Sequence, residues 1–203
     1  MTVYWHSFLP LYENNVMANN IIESIQANLG LAPLTKVDPN IQEAKDKQTN
    51  SGPEKLNQAA IPTVVAGIYR LTRTDEGCAV IQGSSNADSW LDAIFEGNKA
   101  EVVEKVAHYA NVPRDQASPV MESAAAEAIS IIRNDKSATG TDAKSLREYM
   151  SQQRHNVLVY LPAAMQIGDL LNDNSMDDRT NKMEGPISNL MHKIENSLSR
   201  GES

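Results

Sequence analysis

The sequence predicts an all-α protein, a multihelical domain of two similar helical repeats around one aliphatic core. Three observations carry that expectation. Apolar residues make up 41% of the 203-residue chain but aromatics only 5%, a balance that suits helices packed through aliphatic ridges better than aromatic-rich strands. Apolar positions recur at helical spacing in most segments. The core-forming stretches also occur twice, in the same order: residues 20–31 (NIIESIQANLGL) are echoed by 101–112 (EVVEKVAHYANV), and 56–68 (LNQAAIPTVVAGI) line up with 120–132 (VMESAAAEAISII). What repeats is apolar spacing, without any duplicated polar constellation. That is the pattern of a scaffold.

The expected organisation is a duplicated helical domain over residues 1–172, with repeat one over about 11–97 and repeat two over about 98–161, followed by a polar linker and an amphipathic helix over 173–203. Trp5, Phe8 and Leu9 form a short apolar run expected to anchor in the core. Val16, Met17, Ile21, Ile22, Ile25 and Leu29 predict one helix, begun as early as Pro10 and closed by Gly30 in the left-handed conformation that often ends a helix. Residues 35–52 (TKVDPNIQEAKDKQTNSG) are polar and rich in turn formers. They cannot offset their ordering entropy by burial and are expected to form a long, mobile insertion.

Pro53 opens the next helix, where its missing N–H costs nothing, and the apolar pattern runs through Leu56, Ala59, Ala60, Ile61, Val64, Val65, Ile68 and Leu71. Pro62 is expected to kink it or split it in two. Gly77 is expected to end the segment, Cys78–Ile81 to form a short apolar piece and Gly83–Asn86 a loop. A helix over about 87–95 then places Trp90, Leu91, Ile94 and Phe95 on one side, with Gly97 closing it.

In the second repeat, a helix over 99–110 carries Val102, Val103, Val106 and Ala110 on one face. Ser118–Pro119 reads as an N-cap followed by proline at the first helical position. The helix it opens is polar chiefly at Glu122, Ser123, Glu127 and Ser130. So narrow a stripe predicts burial on most sides and a central place in its half, with 61–71 as its counterpart. After the loop 134–141, Asp142 begins a helix containing Leu146, Tyr149 and Met150, or Ser145 and Glu148 form a capping box instead. A further apolar stretch, Val157–Leu161, meets Pro162, and Ala163–Leu171 continues as helix.

Beyond the linker, Ile187, Leu190, Met191, Ile194 and Leu198 recur at i, i+3, i+4, i+7 and i+11, an amphipathic helix set apart from the repeats. These five are the candidate partner-binding residues. The helix either docks on its own domain or reaches a protein partner or a second copy of the chain.

The charge of −8 and pI near 5 would repel a phosphate backbone, which argues against nucleic acid as partner. Cys78 is the single cysteine, so no intramolecular disulfide or thiolate cluster is possible, and its expected role is that of a small buried hydrophobe. No stretch approaches the roughly 20 apolar residues of a membrane span, so the expected location is the cytoplasm. His6, His108, His155 and His192 are too scattered to form a local ligand pair, and no phosphate loop, nucleophile elbow or dinucleotide fingerprint occurs. Glu101 with Glu104 and Glu122 with Glu127 are paired carboxylates. They lie among Lys and Ser on what read as solvated faces, unlike the contrasting environments that acid–base catalysis requires. No catalytic residue, metal or cofactor is expected.

A resemblance can be drawn from Gly30–Leu31, the helix AAIPTVVAGI (59–68), the repeat closing with SLREYM (145–150), and the stretch 152–161 before PAAM (162–165). In that order they look like the YidB-like bacterial proteins, a family of unknown function, with coverage of about 7–171. The chain departs from that family in lacking its glycine-rich loops, in the polar insertion, and in the C-terminal helix. The resemblance implies an all-helical fold and a bacterial source, and carries over no functional residues. Two classes of function follow: a non-enzymatic helical module that binds a protein or itself, or a small-molecule-binding protein or enzyme with a pocket between the repeats, gathering Glu127, His108 or His155.

Overall fold

The middle of the second helix has no polar face, so it can be accommodated only inside the molecule. The computed structural model describes residues 19–37, 52–83, 88–138 and 142–170. In it this helix, α2 (Gly52–Leu71), buries Leu56 and every residue from Gln58 to Ile68. Around it pack α1 (Ile21–Asn28), α4 (Trp90–Phe95), α5 (Lys99–Ala110), α6 (Arg114–Asn134) and α7 (Ala143–Tyr160). α3 (Asp75–Gln82) lies against α6 and α7, and a short α8 (Ile167–Leu170) follows a 3-10 turn at Ala163–Met165. All regular structure among the described residues is helical, as the composition predicts, and none of these helices is long and apolar enough to cross a membrane.

The two echoed stretches close in the same way. In α1 the N–H of Gly30 bonds to Ala27 O and that of Leu31 to Gln26 O; in α5 the N–H of Asn111 bonds to His108 O and that of Val112 to Ala107 O. Each pair is a Schellman closure, with Gly30 at φ +65° and Asn111 at φ +55° as the left-handed residue. Four buried positions correspond as well, Ile21, Ile22, Ile25 and Gln26 in α1 with Val102, Val103, Val106 and Ala107 in α5, which also buries Ala110. Packing is more extensive across the two stretches than within them: α1 lies more against α6 than against α2, and α5 more against α2 than against α6, while α2 and α6 pack on each other.

The central helices of the two stretches differ. α6 buries Ala117, Met121, Ala124, Ala125, Ala128, Ile129 and Ile132 on a single face and leaves Ser123, Ala126 and Ser130 exposed. It is an ordinary amphipathic helix, not the nearly all-round buried one expected, because alanine is small enough to sit on either side. Among the described helices the surrounded position belongs to α2.

Several boundaries depart from expectation. α1 starts at Ile21, not near Pro10, because Asn20 Oδ1 accepts from the N–H of Ile22 at 3.1 Å and caps the helix there. α2 runs unbroken through Pro62, held by helices on every side. Gly77 lies inside α3 instead of ending a segment, since Thr74 Oγ1 caps that helix and a Cβ at Gly77 would fall 1.9 Å from Leu71 O. α4 starts at Trp90 behind the N-cap Ser89, and Glu96, at φ +49°, makes the turn assigned to Gly97.

α6 begins at Arg114, so Pro119 is inside the helix and Ser118 is not its cap. Both Pro119 and Asp115 are exposed, which lets water reach the Asp115 carbonyl that a proline leaves unpaired. Asp142 caps α7 by accepting from the N–H and Oγ of Ser145 at 3.0 and 2.8 Å, bonds that hold its carboxyl below the usual carboxylate range. The alternative capping box at Ser145 does not form. Val157–Tyr160 is the last turn of α7, and the expected helix over 163–171 is divided at Gln166, at φ +42°. The N-terminal run with Trp5, Phe8 and Leu9, most of the polar insertion, and Ile187, Leu190, Met191, Ile194 and Leu198 lie outside the described residues.

Gly67 sets how closely α4 approaches α2. A Cβ there would sit 2.5 Å from both Ile94 Cγ2 and Phe95 Cε1, and neither of those buried side chains is free to move away. Gly67→Ala should therefore lower stability by about 1–3 kcal/mol through overpacking, despite alanine's better helix propensity. Urea denaturation reads this directly, and an unchanged midpoint would show that α4 is not held tightly against α2.

Candidate functional site

Gln26, Gln58 and Gln153 are buried to within 5% of full exposure loss, at positions where a helical core ordinarily takes aliphatic side chains. A buried amide costs free energy unless its donors and acceptor are bonded, so their partners identify what they are for. All three hold backbone.

Gln153 projects from α7 onto the start of α1. Its Oε1 accepts from the N–H of Ile21 at 3.1 Å and from Asn156 Nδ2 at 2.8 Å, and its Nε2 donates to Asn19 O at 3.0 Å. The Ile21 N–H is one of the four that an α-helix leaves unpaired at its start, and α7 satisfies it from outside. At the other end of α1, Asn28 Nδ2 donates to Glu127 Oε1 on α6 at 2.7 Å.

Gln58 grips the chain that follows α1. Its Oε1 accepts from the N–H of Thr35 at 2.8 Å while its Nε2 donates to Thr35 O at 3.1 Å and to Tyr160 O at 2.7 Å. The N–H of Val37 donates to Val159 O at 2.7 Å, and Gln26 Nε2 donates to Ala32 O at 3.3 Å. Residues 31–37 thus form a strap without helical or strand pairing, held at Ala32 and Thr35 by glutamine side chains and at Val37 by the Val159 carbonyl at the end of α7. Thr35 to Val37, expected to begin a mobile insertion, are held in place, with Val37 buried.

Polar side chains finish the junction. Tyr160 OH donates to Glu23 Oε1 at 2.7 Å, and Lys36 Nζ lies 3.9 Å from the same carboxylate and 5.9 Å from the centre of the Tyr160 ring. Burial, and then the bond to Glu23, pushes the Tyr160 phenol well above its ordinary range. Between the strap and α2 is a depression of about 140 Å³ lined by Leu34, Thr35, Glu54, Asn57 and Gln58 among others. Ligand pockets usually measure about 300–1,000 Å³, so only something much smaller than a typical cofactor would fit.

Three of the four carboxylates singled out in the sequence are engaged in holding helices together. Glu122 accepts from Ser89 Oγ at 3.2 Å, from Leu91 N–H at 3.3 Å and from Trp90 N–H, closing the start of α4. Glu127 takes the bond from Asn28, and Glu104 pairs with Arg114. Glu101 is exposed on α5. His108 sits on an open groove with Glu104, Asn111 and Arg114, and His155 is exposed on α7; the structure does not bring them together with Glu127. Cys78 is fully buried, donates to Thr72 O at 3.1 Å, and has its thiol pushed up by burial against the opposing Arg147. Among the described residues no group of His, Cys, Asp and Glu could hold a metal ion. His6 and His192 lie outside the described residues.

No family model, curated protein or solved structure matches the chain.

The glutamines were not singled out from sequence, although a signal existed. Leu146, Met150, Gln153, Val157 and Tyr160 are spaced by four, three, four and three residues, so Gln153 occupies a core position of an otherwise apolar face. Gln153→Ala should cost about 1–3 kcal/mol by leaving the Ile21 N–H and Asn19 carbonyl unsatisfied. Amide exchange at Ile21 should speed up while the amides of α2 stay protected. Equal acceleration in both helices would mean that α1 and the core open as one.

Tyr149 offers the opposite sign. Its hydroxyl is buried without a hydrogen-bond partner, as is Thr63 Oγ1. Tyr149→Phe removes a polar group that gains nothing from folding, so thermal denaturation should show stability unchanged or raised. A loss above about 1 kcal/mol would reveal a bonded water at that hydroxyl.

Proposed function

We propose that this chain is a non-enzymatic bacterial scaffold that binds another protein or a second copy of itself, built from two copies of one helical unit. The observation that carries the reading is the use made of the polar groups: Glu104, Glu122, Glu127, Gln58 and Gln153 all spend their hydrogen bonds on helix ends, neighbouring helices or the strap. The matched Schellman closures of α1 and α5, and the crosswise packing of α1 on α6 and α5 on α2, support the duplication. Descent from the YidB-like family is part of the proposal, and rests on the residue order through 59–68 and 162–165.

The partner contact is assigned to Ile187, Leu190, Met191, Ile194 and Leu198. What supports that assignment is their helical spacing together with the body's lack of an obvious receiving face: Val80 is the exposed large hydrophobic among the described residues. A small-molecule pocket between the repeats is the weaker reading. α6 turns Met121, Ala124, Ala125, Ala128 and Ile129 inward, and α2 is buried on all sides, so the two helices meet through aliphatic surface.

Light scattering after size-exclusion chromatography tests the proposal on the full chain and on a chain ending at Asn172. The full chain should form a complex, with itself or with protein from a bacterial extract, that the shortened chain cannot form while keeping the same melting temperature. Loss of folding on truncation, with no complex in the full chain, would show that the segment belongs to its own domain.

A further inference from the structure

α1 has eight residues, fewer than the roughly 12–15 an isolated helix needs to be even marginally stable, so its conformation depends on what it docks against. Its receiving surface lies largely on the far half of the chain. Ile21 and Asn19 bond to Gln153, Glu23 to Tyr160, and Asn28 to Glu127. Ile21, Ile22 and Ile25 are fully buried at the centre, and these polar pairs surround them. An apolar centre within a polar rim is the anatomy of a protein–protein interface.

The strap extends that interface by main-chain bonds from Thr35 to Gln58 and from Val37 to Val159, with Val37 buried and Lys36 over the Tyr160 ring. The covalent route back to the body is long: residues 38–51 separate the strap from α2, whereas residues 111–113 are all that separate α5 from α6. α5 is thereby kept beside α6, whereas fourteen residues of chain lie between the strap and α2.

We infer that residues 19–37 form an exchangeable clasp, and that the surface made by α6, α7 and Gln58 is a self-association site that takes the clasp of a second copy in place of its own. Reciprocal exchange restores every contact it breaks, so the balance depends on the tether. Because the chain's own clasp is covalently attached, exchange gains on it only as protein concentration rises. The inference deepens the self-association reading of the proposed function and names a site for it separate from Ile187 to Leu198.

The test uses two full-length chains, one carrying Asn28→Cys and the other Glu127→Cys, with the buried Cys78 retained. They are mixed, unfolded and refolded together, and treated with a short bis-maleimide. A chain carrying both substitutions is refolded alongside and should give an internal cross-link, confirming the geometry and the refolding. A cross-linked dimer containing one of each chain is expected, taking a share of the protein some tens of times larger near 1 mM than near 10 µM, a magnitude on the order that mass action gives for a bimolecular exchange, and abolished by adding Ile22→Asp to the Asn28→Cys chain. The internal cross-link without any mixed dimer would overturn the inference. So would a mixed dimer that disappears when both chains also carry Leu190→Asp and Ile194→Asp, because the C-terminal segment would then be what joins them. A mixed dimer that survives those substitutions upholds the clasp even where truncation at Asn172 has no effect.

Discussion

Burial of α2 on every side is the constraint on which the rest of the structure depends. A helix that buries Leu56 and everything from Gln58 to Ile68 must be enclosed, and five other helices supply that enclosure. Close approach then becomes a requirement on individual residues. Gly67 lets Ile94 and Phe95 touch the backbone of α2, and the run of small and branched side chains leaves little for a polar group to do there. The same enclosure explains why Pro62 does not divide the helix: a lost hydrogen bond is outweighed by apolar surface that only a continuous helix can bury.

Enclosing one helix with others creates many helix ends, and the polar residues of this chain are committed to closing them. Gln153 closes α1, Glu122 closes α4 and Asp142 closes α7, while Gln58 takes an open carbonyl at the end of α7. Glu104, Glu122 and Glu127, three of the carboxylates that invite a test for acid–base chemistry, are therefore occupied in pinning one element to another.

Much of the fold is legible in the sequence because aliphatic spacing dictates helices directly. The bounds of α5, the left-handed closure at Gly30 and the cap at Asp142 all follow from local patterns. The errors share a cause. Gly77, Ser118–Pro119 and Pro62 read as punctuation, yet each lies within a helix, since the glycine relieves a contact with Leu71, the exposed proline leaves a carbonyl to water, and the buried one is overruled by packing. The junction around the strap was hidden for a different reason. Its bonds join residues more than a hundred apart, such as Gln58 with Tyr160 and Ile21 with Gln153, and a lone glutamine at a core position does not name its partner.

By itself the sequence determined that the described chain is helical and which faces of most helices turn inward, because a 3.6-residue apolar period is a local property that survives any arrangement of the helices. Tertiary structure alone decided that α2 and not α6 is enclosed, that the strap is held, and that α1 rests on the opposite half of the molecule. Those outcomes depend on which surfaces meet across long separations, and alanine-rich faces leave that choice to the geometry of the whole.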